Sequence, residues 1–274
     1  MIRISWSGLR THEECRQKGY LTRTKKLATL ADKRNFLPGT VTDRVVRNWL
    51  LNDPLDHLGE MPDMVTAAID AAKVELTDSG EGVVRWRDSG DRAIVEAECQ
   101  EAVRLIEPDL LKYVVPYEYQ PDFRFDAPVK LKNPKTGRME LINLIGYMDI
   151  LVRDDKGRFW VWDVKHTKDN SYWRKTIGQL GFYDLAVEML FGQPTAMTGL
   201  MQPLCKKPRQ TYQPSQESRA QLMQRISAMA SDIWNENYTP LEGKGSVCNW
   251  CSAKHACVKF QPVMDSKGRK RLSL

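Results

Sequence analysis

Along the first hundred residues, apolar positions recur at helical spacing. In "LPGTVTDRVVRNWLL", Val41, Val45, Trp49 and Leu50 share one face, which predicts a helix there. Ser7 or Thr11 gives the start signal for a short helix in "SGLRTHEECRQKGYL". Residues 62–76 and 92–112 predict two more helices, and the polar, glycine-rich "DSGEGVVRWRDSGD" between them predicts a loop or small hairpin. From Val114 the period shortens to two. "YEYQPDFRF", "MELINLIGYMDILV" and "RFWVWDVKH" predict strands, separated by the turn signals "NPKTGR" and "DDKG". A helix from about Ser171 to Phe191, an apolar strand "TAMTGLMQPL" and an amphipathic helix from Ser215 to Asn235 follow, before a cysteine-rich tail. The pattern predicts a mixed α/β core, with helices before and after a mostly antiparallel meander.

Composition narrows this only a little. The chain has 274 residues, 42% hydrophobic and 28% charged, as expected of a globular protein with a sizeable core. Its net charge of +6 permits a polyanionic partner without requiring one, because 41 basic and 35 acidic residues are interspersed. The N-terminus has no apolar leader and no run reaches the roughly 20 apolar residues of a membrane helix, so the expected location is cytoplasmic. Disulfides rarely persist there, and the six cysteines call for another explanation where they cluster.

The apolar strand "FWVWDVK" ends in an acid and a lysine. Side chains alternate across a strand, so Asp163 and Lys165 share one face while Trp162 and Val164 take the other. A three-residue hairpin loop, Asp155-Lys156-Gly157, with Gly157 left-handed, pairs residues whose numbers sum to 312. Asp149 then lies across from Asp163, on the face of Lys165. Two carboxylates and an ammonium on one patch suit Mg²⁺ or Mn²⁺, with a lysine whose pKa burial would lower to orient or deprotonate a water. A phosphodiester is the matching substrate. The alternative is a buried ion pair at a strand end.

"GYMDILV…WVWDVKHTK…GQLGFYDLA" resembles the PD-(D/E)xK nuclease superfamily in its RecB-like branch. The resemblance implies a restriction-endonuclease-like α/β fold: a mixed β-sheet core flanked by helices, with a helical N-terminal part and a C-terminal cysteine-rich segment. It implies that Asp149, Asp163 and the Val164 carbonyl hold the divalent ion, that Lys165 positions the water, and that Gln179 and Tyr183 on the next helix guide the strand. The family's early G-x-x-x-H is Gly39-Thr40-Val41-Thr42-Asp43 here, with Asp43 where histidine is expected. Asp43 is either a further metal ligand or an acid favoured near a helix N-terminus. Glu118 matches an acidic strand position that often precedes the core.

Cys248, Cys251 and Cys257 cluster near the C-terminus, one short of a Cys₄ site. By resemblance to iron–sulfur RecB-like exonucleases, including AddB-type and CRISPR-associated nucleases, the fourth ligand is Cys15, after "SWSGL". A 4Fe–4S cluster so held would staple residues more than 230 positions apart. A local zinc site of Cys248, Cys251, His255 and Cys257 is the competing reading. Cys99 and Cys205 read as buried apolar residues.

"SYWRKTIGQ" sets Trp173 beside Arg174 and Lys175, either a stacking-and-charge contact for DNA or a core residue flanked by a solvated face. The expected organisation is one compact domain: 1–112 helical and supplying a cluster cysteine, 113–229 the nuclease core, and 230–274 the iron–sulfur segment and basic tail. The expected function is a metal-dependent DNA exonuclease using Mg²⁺ or Mn²⁺ and acting on ends of single-stranded DNA, with protein partners in recombination, repair or CRISPR adaptation. The alternatives are a catalytically spent DNA-end-binding subunit of such a complex, and a zinc-stabilised interaction module.

Overall fold

The computed structural model describes residues 1–24, 31–32, 34–78, 82–240, 248, 251, 253, 256–257, 263–264 and 270–271. In chain order the elements are β1 (Ile2–Ile4), α1 (Trp6–Glu14), α2 (Arg16–Gly19), β2 (Ala31–Asp32), α3 (Leu37–Leu51), α4 (Val65–Asp78), β3 (Gly82–Val83) and α5 (Asp91–Tyr113). Then come β4 (Glu118–Lys132), β5 (Met139–Arg153), β6 (Phe159–Val164), α6 (Tyr172–Phe191), β7 (Met197–Met201), β8 (Arg209–Tyr212), α7 (Gln216–Trp234), β9 (Val263–Met264) and β10 (Lys270–Arg271).

Six strands form the main sheet. β4 pairs with one side of the long β5, while β1 and β6 share its other side; β7 and β8 continue from β6. The pairings of β1 with β5 and of β6 with β7 are parallel. The sheet is therefore mixed, as the resemblance implies, and β4, β5 and β6 form the antiparallel meander expected from the sequence. A parallel neighbour demands a crossover, and α6 supplies the one between β6 and β7. The glycine-rich stretch before α5 is not a hairpin: Gly82–Val83 pairs in parallel with Ala31–Asp32. α1 is capped by the Ser5 hydroxyl, which accepts from Gly8 N, two residues before the earlier of the two expected start signals.

Each face of the sheet is covered, as a sheet hydrophobic on both faces requires. On one face α3, α4 and α5 pack Val45, Trp49, Ile69 and Val103 against Ile150, Val152, Trp162 and Val164. On the other, α6, α7 and the N-terminal segment pack Leu180, Phe182, Ile226, Ile4 and Leu9 against Phe125, Leu144, Leu151 and Val161. The alternation read from "FWVWDV" is what divides β6 between these two cores. A bidentate pair of Arg34 with Asp91, Nε to Oδ2 at 2.7 Å and Nη2 to Oδ1 at 2.5 Å, ties the approach to α3 to the start of α5.

The hairpin register holds as expected: Ile150↔Trp162, Leu151↔Val161, Val152↔Trp160 and Arg153↔Phe159 all sum to 312. Gly157 has φ 72° in the left-handed region, and its N–H donates to Asp154 O at 2.9 Å. Opposite Trp162 on the far side lies Gly199 of β7. The Trp162 ring occupies the space a Cβ at Gly199 would need. Gly199→Ala should cost about 1–3 kcal/mol by overpacking, read as a drop in denaturant midpoint at unchanged slope. Trp162→Phe in the same chain should recover part of that loss, and additive effects would refute the contact as its source.

Candidate active site

β6 ends in the centre of the sheet, and its last residues carry the polar cluster. Asp163 is completely buried. Its Oδ1 accepts from Gln179 Nε2 at 3.1 Å, while Oδ2 forms an ion pair with the Lys165 ammonium at 2.7 Å. Lys165 Nζ also lies 3.5 Å from Asp149 Oδ2 and donates to the Val164 carbonyl at 3.2 Å. Asp149 is not held by a ladder rung to Asp163. Its Oδ2 instead accepts from Val164 N at 2.7 Å, which fixes the carboxylate beyond the last paired residues. One cation thus touches all three groups that the sequence reading assigns to a metal.

Electrostatics show how poorly one ammonium balances this set. Burial and then the Asp149 carboxylate raise the pKa of Asp43 to about 7, against Lys165 and Arg47. Burial, opposed by Lys165 and reinforced by Asp149, raises Asp163 to about 7 as well. For Lys165, burial pulls the pKa down, but Asp149 and Asp163 together push it well above the ordinary lysine value. The lowered lysine pKa expected from the sequence is thereby corrected: two carboxylates outweigh burial. Tyr183 is likewise held protonated, by burial and by Asp163 and Asp149.

Around these groups lies a supporting shell. Gln179 Nε2 bridges Asp163 and the Tyr183 hydroxyl, so the i, i+4 pair on α6 faces Asp163. Gly146, three residues before Asp149, faces Phe125 across the hairpin, and a Cβ there would strike the Phe125 ring. That ring in turn meets Tyr183 edge-on at 6.1 Å. Gly178 is similarly required bare, because the Trp6 indole lies against it.

Asp43 comes from the seventh position of α3 and not from its first turn, so the helix-dipole reading of this acid does not apply. Sequence reasoning missed His166, which bonds Thr42, the residue before Asp43. The ring's Nδ1 is 2.8 Å from Thr42 Oγ1 and its Nε2 2.9 Å from Glu98 Oε1, joining α3, α5 and the end of β6. Burial lowers its pKa despite Glu98. A neutral ring then donates through Nε2 to Glu98 and accepts at Nδ1 from Thr42. Asp122 was also missed. It lies where β4 passes Asp149, has φ 51°, and pairs with Arg47 at 3.2 Å. Nothing in its sequence context marks it beyond a polar residue in an apolar strand.

Glu118 lies at the far end of the sheet, paired with Arg153 at 3.5 Å and well exposed, so it is not part of this site. Trp173 is half-buried against the α6 core. Arg174 and Lys175 are exposed, and Lys175 pairs with Asp169 at 3.4 Å. A groove of about 1120 Å³ instead runs to Gln179 and Tyr183 between the N-terminal segment and the β4–β5 hairpin. Trp6, Phe36 and Tyr147 line it, with Arg3, Arg10 and Arg124.

The cysteines divide as follows. Cys99 and Cys205 are buried, and burial raises both thiol pKa values, Cys99 to about 12. Cys257 and Ala253 pack on Leu21, with Cys251 and Tyr20 beside them, and Tyr20 stacks on Tyr238 at 4.2 Å. The segment following Cys15 therefore meets the C-terminal cysteine segment. Among the described residues, no three His, Cys, Asp or Glu side chains form a ready metal cage; His255 and most of the basic tail lie outside them.

The sequence matches the PD-(D/E)XK nuclease superfamily over residues 3–258. The chain belongs to that superfamily. Its members generally use divalent metals such as Mg²⁺ or Mn²⁺, which agrees with a surplus of buried carboxylate around one lysine. A solved protein from Eubacterium rectale described as a candidate exonuclease is 13% identical, covers 95% of this chain and 90% of its own, and superposes with a TM-score of 0.53. The structure of SSO0001 is also 13% identical, over 82% of this chain and 95% of its own, with a TM-score of 0.36. No curated protein matches the sequence.

Raised carboxyl pKa values carry a sign. Between the ordinary carboxylate range and about 7, the folded chain keeps protons on Asp43 and Asp163 that the unfolded chain has released. Stability from these groups is present at low pH and is lost as pH rises through 7. In EDTA, Tm should fall between about pH 5 and pH 8, and added Mn²⁺ should raise Tm more at the higher pH. An equal metal effect at both values would refute the assignment.

Proposed function

We propose that the protein is a metal-dependent deoxyribonuclease that removes nucleotides from ends of single-stranded DNA. The observation that carries this reading is the convergence of Asp149, Asp163 and the Val164 carbonyl on one cation, next to Gln179, which lines a groove together with Trp6, Phe36 and Tyr147. Asp149, Asp163 and Val164 O would hold Mg²⁺ or Mn²⁺, with Asp43 beside them. The bound ion would polarise a phosphoryl oxygen and acidify a water. Lys165, held as an ammonium by its carboxylates, positions the attacking water and offsets charge developing on the phosphate. Gln179 fixes Asp163 Oδ1 and so aims Oδ2 at the cation side of the cluster, where Lys165 lies. Tyr183, kept protonated, presents a hydroxyl at the groove floor. The groove's indole and phenyl rings beside arginines suit unpaired bases and their phosphates.

We further infer a 4Fe–4S cluster held by Cys15, Cys248, Cys251 and Cys257. Its support is the packing of Cys251 and Cys257 against Tyr20 and Leu21, a few residues after Cys15. The whole would be one domain, with the expected segments 1–112, 113–229 and 230–274 closed together by that cluster.

End-labelled single strands incubated with Mn²⁺ should be shortened progressively. Lys165→Ala should lower the rate at least about a hundredfold, and the label lost first gives the polarity. Intact DNA that the folded protein still retards would establish the end-binding subunit instead. Anaerobic preparations should contain iron and acid-labile sulfide, both reduced in Cys15→Ser. Zinc alone, unaffected by Cys15→Ser, would assign the C-terminal cysteines to the local zinc site.

A further inference from the structure

The β4–β5 hairpin extends well past the groove, and its outer face is built as two unlike rails. Side chains alternate across each strand. From Phe125 to Leu131 the odd residues of β4 are buried, while Arg124, Asp126, Pro128, Lys130 and Lys132 are exposed. Their cross-strand partners on β5 are Tyr147, Ile145, Asn143, Leu141 and Met139. Tyr147, Leu141 and Met139 are 53%, 47% and 61% exposed. Each cation of β4 thus faces an uncovered apolar side chain of β5: Arg124 with Tyr147, Lys130 with Leu141, Lys132 with Met139.

Among the described residues, the cations on this face have no acid to neutralise them. The one acid, Asp126, is paired with Arg3 at 2.9 Å and bonded by Asn143. Among the described residues no carboxylate pairs with Arg124, Lys130 or Lys132, and the turn beyond adds exposed Lys135 and Arg138. A lone row of lysines would be a solvated surface, and a lone apolar row would call for a protein partner. Side by side, at the roughly 5 Å spacing of paired strands, they match a chain with anionic phosphates along one edge and flat apolar bases along the other. Arg124, Ile145 and Tyr147 also line the groove that ends at Gln179 and Tyr183. The rails are continuous with it, and from Tyr147 to Met139 they extend about 27 Å.

We infer that the outer face of the β4–β5 hairpin is a second nucleic-acid site, a track that holds several nucleotides of single strand leading to or from the groove. The inference rests on the nuclease reading for its substrate class. The cations of β4 take the phosphates, and Tyr147, Leu141 and Met139 support the bases. The track makes strand length a determinant of affinity.

The test is fluorescence anisotropy of labelled oligothymidylates of about 6 and about 30 nucleotides, without divalent metal, across a salt series. The double variant Lys130→Glu, Lys132→Glu is compared with Lys112→Glu, Lys156→Glu, which changes net charge equally at exposed positions away from the face. The first pair should weaken binding of the long strand about tenfold and flatten its salt dependence by about 1.4 in log–log slope, at about 0.7 per phosphate contact released. The loss should be smaller for the short strand, and Leu141→Ser should add to it without changing the slope. Equal effects from the two pairs, or equal effects on both lengths, would overturn the track. A concentration-dependent dimer in sedimentation that Leu141→Ser abolishes would also overturn it, by giving the face to a second copy. Metal-dependent shortening of strands by the wild-type protein is scored separately. Shortening without a rail effect removes the track alone, and a rail effect without shortening removes the catalytic reading alone.

Discussion

A fully buried carboxylate is the constraint on which the rest of this structure depends. Moving Asp163 out of water is costly unless a cation and hydrogen bonds replace its hydration. The fold supplies one of each to the two oxygens, Gln179 to Oδ1 and Lys165 to Oδ2, and then weakens the arrangement by placing Asp149 close enough to raise its pKa, as it also raises that of Asp43. A core built only for stability would have used an apolar residue here, flanked as it is by Trp162 and Val164. Surplus negative charge in a buried site makes sense when a further cation completes it, and for this superfamily that cation is divalent.

The long β4–β5 ribbon shows how the backbone makes room for that charge. Tyr117 and Tyr119 pack on the α3–α5 side, whereas Phe123, Phe125, Ala127 and Val129 pack on the α6–α7 side. All are odd-numbered, so a regular strand would put them on one face. On β5, Met148 joins the second core, and Ile150 and Val152 join the first. The ribbon changes face between these residues, where the ladder passes from Pro121↔Ile150 to Phe123↔Met148 with no rung between Asp122 and Asp149, and Asp122 is left-handed. A non-glycine residue at positive φ costs of the order of 1 kcal/mol or more. The same distortion lets one ribbon serve both cores and turns Asp149 toward the end of β6.

Much of this was legible in the sequence because it depends on local rules. Period-two alternation assigned Trp162 and Val164 to one core and Asp163 to the other side, and the Asp-Lys-Gly turn set the register that brings Asp149 to Lys165. Helix limits at Leu37 and Leu51 followed from spacing alone. What escaped depends on distant partners. β1 and β8 have three and four residues, too short to show a period, and exist because β5 and β7 offer them edges. His166 looks like any polar residue after a strand until Thr42 and Glu98 are brought to it. The sign of the Lys165 shift could not be read either, since burial and charge oppose each other and only the distances decide between them.

The N-terminal segment ties these parts of the structure together. Ile2–Ile4 pairs with β5 beside the residues that carry Asp149, Trp6 covers the Gly178 backbone one residue before Gln179, and His12 reaches Asp232 of α7 at 3.0 Å, where Arg16 also pairs at 2.7 Å. The wall of the groove and the approach to Cys15 are therefore the same eighteen or so residues, held by contacts to β5, α6 and α7. A three-residue strand, the buried Ile4 and Leu9, one indole and the pairs at Asp232 anchor this wall. Closing that segment onto the C-terminal cysteines would remove its freedom to peel away at little cost in native contacts. A cluster at this place would act on substrate binding mechanically, by keeping Trp6 seated on α6, while remaining outside the chemistry at Asp163.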